Sequence, residues 1–261
     1  MNKAEVLHDL VESEVSRRAF AKRTIGAGLW AGGAAMMMGS ANSVQAQSVT
    51  DVDILNFALN LEYLEAEFYY IATTGRRIAD AGISVTGTGQ SGATTGGGRV
   101  ALDERTRTVA DHITLDELQH VRFLRTALGS AAVAKPAINL EALGIGFRSQ
   151  NEFLTLARAF EDLGVSAYGG AAAAISSRAI LERAARIALT EAQHAGVLRL
   201  LVSDNRVVVP ALDGIDVLPL MSPGGRLFQV DGDGLSNIRT PAQVLAVGGA
   251  FFPNGVNGNI R

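Results

Sequence analysis

The sequence predicts an all-α protein: a four-helix bundle with one long crossover, followed by a mostly irregular C-terminal extension. Three observations predict it. Apolar residues recur at three- and four-residue steps in four segments. Those segments are of similar length, about 20–27 residues each, longer than the usual globular helix. The links between them are unequal, and one is long enough to run back along a bundle.

The first 46 residues read as a leader rather than as part of the fold. Ser16-Arg17-Arg18-Ala19-Phe20-Ala21-Lys22-Arg23 precedes an apolar run from Ile25 to Met38. That run, about 14 residues, is too short to span a bilayer comfortably. Ser43-Val44-Gln45-Ala46 places small or β-branched residues one and three positions before a cut after Ala46. The paired arginines resemble a twin-arginine export signal. They imply a mature chain in the periplasm or cell envelope of a bacterium, with an uncleaved N-terminal anchor as the alternative.

Helix one is expected from about Val52 to Thr73, with Ile54, Phe57, Ala58, Leu61, Leu64 and Phe68 as its stripe. Thr50 or Asp51 serves as its N-cap and Gly75 as its stop. Helix two runs from Asp103 to Leu128, ended by Gly129, with Val109, Ile113, Leu115, Leu118, Val121, Phe123 and Leu124 facing inwards. Helix three covers Ser149 to Ile175, with Phe153, Leu156, Phe160 and Leu163. Helix four covers Ser177 to Val202, with Ile180, Leu181, Ile187, Leu189, Val197, Leu198 and Leu201.

Helices one and two are joined by about 30 residues, rich in Gly, Ser and Thr from Gly75 to Gly98 and expected to be flexible. About 20 residues containing Lys135-Pro136 join helices two and three, while three and four meet near Ser176-Ser177. Residues 47–205 are thus expected to form the bundle and 206–261 an extension packed on it. In that extension Val207-Val208-Val209-Pro210 is extended, and Pro219, Pro223, Gly224 and Gly225 punctuate the chain. A short helix starts at Thr240 with Pro241 in its first turn.

Composition limits the chemistry. The chain has 261 residues, 48% of them apolar, enough to bury a core, and no cysteine. Disulfide scaffolds, thiolate metal sites and thiol nucleophiles are excluded. The net charge is −3. Without residues 1–46, which hold five basic and four acidic residues, 18 basic and 22 acidic ones remain, a net of −4. With only 6% aromatic residues, neither nucleic acid nor, after cleavage of the leader, a membrane is expected as partner. A homo-oligomer is left open.

Two of the three histidines beyond residue 46 share one local pattern: Glu117-Leu118-Gln119-His120 and Glu191-Ala192-Gln193-His194. A spacing of three puts Glu and His on one helical face, able to reach one metal ion. Helices one and three each carry a mid-helix glutamate followed seven residues later by a tyrosine: Glu62 with Tyr69, Glu161 with Tyr168. Seven residues are two turns, so each Tyr shares its Glu's face. Two Glu-x-x-His helices facing two Glu helices are the ligand set of di-iron and di-manganese carboxylate bundles. Inward carboxylates would be costly without cations to neutralise them. His112 is expected to be structural or at the surface, and Glu67 to face solvent. Gly87-Thr88-Gly89-Gln90-Ser91-Gly92 fits G-x-G-x-x-G, but neither the following helix nor the βαβ frame of a nucleotide site is present. Asp231-Gly232-Asp233-Gly234 reads as a turn, because the glutamate that would complete a calcium loop is missing.

On these motifs the segment from Thr50 to Asn205 resembles the ferritin-like superfamily, whose members include bacterioferritin, rubrerythrin and manganese catalase. Leu61-Glu62-Tyr63-Leu64-Glu65, Thr240-Pro241-Ala242-Gln243-Val244-Leu245 and the Phe-Phe-Pro-Asn-Gly tail are most similar to exported ferritin-like domain proteins related to plant desiccation-associated proteins. The resemblance implies two Mn or Fe ions per chain. Glu62, Glu117 and His120 would serve one and Glu161, Glu191 and His194 the other, with Glu117 and Glu191 bridging. Asp116 would orient a histidine of another helix, His194, through its free ring N–H. The equivalent position is Thr190, a departure from the family pattern that puts the orientation of His120 in doubt. Tyr69 and Tyr168 would hydrogen-bond the bridging carboxylates. Glu65 would be an extra ligand, a proton relay or a substitute for Glu62, with Gly164 leaving room for it.

Two functions are compatible with that site. One is an oxidoreductase in stress protection acting on peroxide, dioxygen or ferrous ion, catalase-like or ferroxidase-like. The other is a non-enzymatic metal-binding or desiccation-protective envelope protein.

Overall fold

A computed structural model describes residues 49–260; the leader and its cleavage site lie outside the described residues. Four long helices form the bundle. They are α1, Asp51–Thr74; α2, Glu104–Leu128; α3, Gln150–Ala171; and α4, Arg178–Asp204. A short α5, Pro241–Gly248, belongs to the C-terminal extension. None of these helices is long and apolar enough to cross a membrane.

Local chemistry sets the helix ends. Thr50 caps α1 in a reciprocal capping box with Asp53, and Gly75 ends it in the left-handed region at φ 78°. Asp103, Ser149 and Ser177 cap α2, α3 and α4 through their side chains. Thr240 and Gln243 form a capping box at α5, with Pro241 in its first turn. Helix three ends four residues earlier than expected: Ala172–Ala174 tighten into a 3-10 turn before the extended Ile175.

The pairing of the helices follows from their contacts. Tyr63 with Arg125 and Thr73 with Thr114 make α1 and α2 antiparallel. Arg105 with Asp204 and Phe123 with Arg183 do the same for α2 and α4. Tyr168 with Glu62 and Tyr69 with Ala157 do so for α1 and α3. Hence α2 and α3 run parallel, which is why residues 129–149 must travel the length of the bundle.

α1 is the central element, with 18 of its 24 residues buried. The cause is the Gly-rich segment, which corrects an expectation: it is not a flexible loop. It lies beside the α2–α3 crossover as a parallel ribbon, with β1, Thr94–Thr95, paired to β2, Ile138–Asn139. Flanking backbone bonds such as Thr88 N–H to Ala132 O, Gly92 N–H to Lys135 O and Leu140 N–H to Thr95 O extend it. A Cβ on Gly87 would run into the Ala132 carbonyl, and one on Gly92 into the Ala137 backbone. The glycines here mark close backbone approach, not mobility. The ribbon also buries Glu67, expected in solvent. Its carboxylate accepts from the Thr94 hydroxyl at 2.8 Å and the Ile78 N–H at 3.4 Å, with the Lys135 ammonium 3.9 Å away. Leu115 and Leu189, expected in the core, stand 59% and 65% exposed on the outer faces of α2 and α4. Single exposed leucines are ordinary on a globular surface.

The extension is held to α3 and α4 by buried arginines. Arg158 on α3 pairs with Asp162 and with Asp216, both at 2.6 Å. Arg199 on α4 donates to Asp162 at 2.8 Å and to the carbonyls of Val217, Arg226 and Leu227. Arg239 reaches Asp213 and the Ser166 hydroxyl. At the chain's end Asn257 exchanges hydrogen bonds with Asn60 of α1, Gln90 of the ribbon and Ala134 of the crossover. Asp231 forms the expected turn, its carboxylate accepting from the backbone of Asp233 and Leu235. Removing one partner of a buried pair strands the other charge, at a cost of about 3–5 kcal/mol. Asp216→Ala is therefore expected to lower unfolding free energy in urea by about 3 kcal/mol and to speed proteolysis within 206–240. A loss below about 1 kcal/mol with unchanged proteolysis would show that this network does not anchor the extension.

Candidate metal centre

The four long helices each direct their mid-helix carboxylate into one apolar core. Glu62, Glu117, Glu161 and Glu191 are all fully buried, and Glu65, His120 and His194 nearly so. Their ligating atoms fall into two sets. Glu62, Glu117, His120 and Glu191 form one, Glu117, Glu161, Glu191 and His194 the other, with one ligand atom per residue lying within 4.8 Å of the rest. Glu117 and Glu191 belong to both, as a bridging role demands.

The nitrogens show what kind of contact this is. His120 Nδ1 lies 3.2 Å from Glu62 Oε2, 3.2 Å from Glu191 Oε1 and 3.4 Å from Glu117 Oε2. His194 Nδ1 lies 3.2 Å from both Glu117 Oε1 and Glu161 Oε2. One ring nitrogen carries at most one proton, so it cannot satisfy several acceptors. Glu62 Oε2, Glu117 Oε1, Glu161 Oε1 and both Glu191 oxygens accept no hydrogen bond. Buried oxygens of this kind need a partner, and cations between the two sets would supply it. The oxygen-rich, two-imidazole donor set fits manganese or iron.

The residues around the sets divide unevenly. Asp116 Oδ2 accepts from His194 Nε2 at 3.2 Å, the expected pairing across α2 and α4. Thr190 does nothing comparable: its hydroxyl donates to the Arg186 carbonyl at 3.2 Å. The tyrosines correct an expectation. Tyr168 donates to Glu62, the unshared carboxylate of the opposite helix, and the Tyr69 hydroxyl donates to the Ala157 carbonyl at 3.5 Å, so neither hydrogen-bonds Glu117 or Glu191. The antiparallel register of α1 and α3 causes this crossing. Glu65 lies in neither donor set. It stands beside Gly164, where an added Cβ would come within 2.5 Å of Glu191 Oε2 and 3.2 Å of Glu65 Oε1. The missing side chain is what makes space for both carboxylates. His112 is exposed, as expected.

A family model described as a ferritin-like domain matches residues 50–204, from the cap of α1 to the end of α4. The chain belongs to the ferritin-like domain family. No curated protein matches the sequence. The ferritin-like match stops where the extension begins, so the arginine-anchored segment lies beyond the matched region.

Without cations, the ferritin-like core carries its charge at a cost. Burial, then repulsion from the other carboxylates, pushes Glu65 and Glu191 well above the usual carboxylate range. Burial and Glu62 push Glu117 to about 7. Burial also raises Glu62, but His120 and the hydrogen bonds outweigh it and leave its value lowered. Burial opposes protonation of both histidines. The surrounding carboxylates win, raising His120 and pushing His194 to about 12.

Glu65, Glu117, Glu191 and both histidines therefore hold more protons folded than unfolded at neutral pH. Each contributes stability that is lost as pH rises. Glu62 acts oppositely, but its window lies below its ordinary value of 4.5. The metal-free chain is expected to lose melting temperature steadily from pH 5 to pH 9, while added Mn(II) raises it more at pH 8 than at pH 6. Calorimetry checks both. A metal-free melting temperature that rises with pH would contradict the charge assignment.

Proposed function

We propose that this chain is an exported dimetal carboxylate protein that consumes peroxide or dioxygen in stress protection. The observation that carries the reading is the pair of buried donor sets sharing Glu117 and Glu191. Glu62 and His120 complete one set, Glu161 and His194 the other. Two manganese or iron ions bound there would supply reversible two-electron exchange with a small oxygen substrate. With manganese, two molecules of hydrogen peroxide become two of water and one of dioxygen. With iron, ferrous ion is the reductant and dioxygen or peroxide the oxidant.

The chain's own residues suit that task. Glu65 stands beside the shared carboxylate Glu191 at Gly164 and is the group placed to give or take a proton. Tyr168 fixes Glu62 through its hydroxyl. Phe68 stacks on Phe153 and meets Phe147 and Phe160 edge-on, and Phe160 meets Phe251. The carboxylates themselves are buried, which strengthens electrostatics inside.

Export rests on the Ser-Arg-Arg-x-Phe-x-Lys leader. The absence of cysteine suits an oxidising envelope. The kinship with desiccation-associated proteins rests on Leu61–Glu65, Thr240–Leu245 and the Phe-Phe-Pro-Asn-Gly tail.

The test is turnover by protein purified with its native metal. Peroxide decay with oxygen evolution, or ferrous oxidation, is expected, falling at least about a hundredfold in Glu117→Ala. Folded, metal-loaded protein with neither activity would overturn the enzymatic reading in favour of metal binding alone.

A further inference from the structure

The two halves of the centre match in their ligands but not in what holds those ligands. His194 turns Nδ1 to Glu117 and Glu161 and spends Nε2 on Asp116. His120 turns Nδ1 to Glu62, Glu117 and Glu191, and no described side chain meets its Nε2. The residue that should do so by the internal two-fold is Thr190, one position before Glu191 as Asp116 is one before Glu117. Its hydroxyl is committed to its own helix, on the Arg186 carbonyl. The His120 side chain is also the more exposed, 11% against 7%.

We propose that the two metal sites are inequivalent. Asp116 makes the Glu161–His194 half the tight site, filled first, and Thr190 leaves the Glu62–His120 half a weaker, exchangeable one. The inference rests on the dimetal reading above and adds an order of filling to it. A carboxylate on the far nitrogen of a ligand histidine fixes the ring and its tautomer and makes the near nitrogen a better donor. Such partners are worth about 10–100-fold in metal affinity. Asp116 is half exposed, which places the effect near the lower end, about tenfold. Asp116 acts through His194 and is thus a positioning residue. The functional consequence is a centre in which one ion stays bound while the other exchanges with the medium.

The experiment is a calorimetric titration of metal-free full-length chain with Mn(II), repeated with Co(II) to follow its visible spectrum. Repulsion between two ions that share carboxylates would by itself separate the binding steps, so the variants decide. Asp116→Asn is expected to weaken the first step about tenfold and leave the second unchanged. Thr190→Asp is expected to strengthen the second step and narrow the gap. His120→Gln should keep the tight step, and His194→Gln should lose it. A gain of affinity in Thr190→Asp cannot come from misfolding. Equal losses in His120→Gln and His194→Gln, or an Asp116→Asn profile identical to the parent's, would overturn the inequivalence while leaving two bound ions. Failure of the parent chain to take up either ion would overturn the dimetal reading and the inequivalence with it.

Discussion

Five glutamates converge in one buried core, and the rest of the structure depends on how their charge is met. Glu62, Glu65, Glu117, Glu161 and Glu191 come from all four long helices. Of the described residues, two histidines are the only cationic side chains placed among them, and each nitrogen facing the carboxylates is shared by several oxygens. A carboxylate transferred from water into protein costs several kcal/mol unless a counter-charge accompanies it. An all-apolar core of the same volume would fold more easily. The arrangement is intelligible as the ligand shell of divalent cations, with the two imidazoles partly substituting for them when metal is absent.

The architecture serves that shell. Four long helices place one carboxylate each at mid-length. The parallel α2 and α3 bring two Glu-x-x-His turns and two Glu-x6-Tyr faces into two related halves. Around them the molecule is closed. The glycine ribbon and the Asn257 tail cover the outer side of α1. The extension is riveted to α3 and α4 by Arg158, Arg199 and Arg239. These three arginines are themselves buried with acidic partners, so the protein carries two separate charged cores. The Arg–Asp network is neutralised by its own residues, and the glutamate core is the one that, on the proposed reading, cations would complete.

Much of this was legible because the signals are local. Helix ends follow from Thr50, Asp103, Ser149, Ser177 and Thr240, each read against its nearest neighbours. Glu-x-x-His spacing fixes a face without reference to any other helix, and Asp116 next to Glu117 identified the partner of His194. What required the fold was lateral register. The tyrosines were placed on their glutamates' faces, yet Tyr168 serves Glu62 of the opposite helix, which only the antiparallel pairing of α1 and α3 determines. Glu67 looked solvated because nothing local says that a glycine-rich segment will return to cover it. The glycines of that segment were read as freedom, when steric closeness to residues 132–137 is what requires them. Leu115 and Leu189 stand two residues from Ile113 and Glu117 and from Ile187 and Glu191, which puts them on the opposite side of the helix from the buried stripe.

The most direct test of the account is where metal sits in a crystal of the full chain grown with excess Mn(II), read from anomalous scattering at the manganese edge. Two peaks are expected inside the bundle, about 3.5–4 Å apart, with Glu117 and Glu191 between them and His120 and His194 on either side. A bundle that orders with its glutamates in place and no anomalous density among them, or with manganese only at the surface, would contradict the claim that cations complete this core.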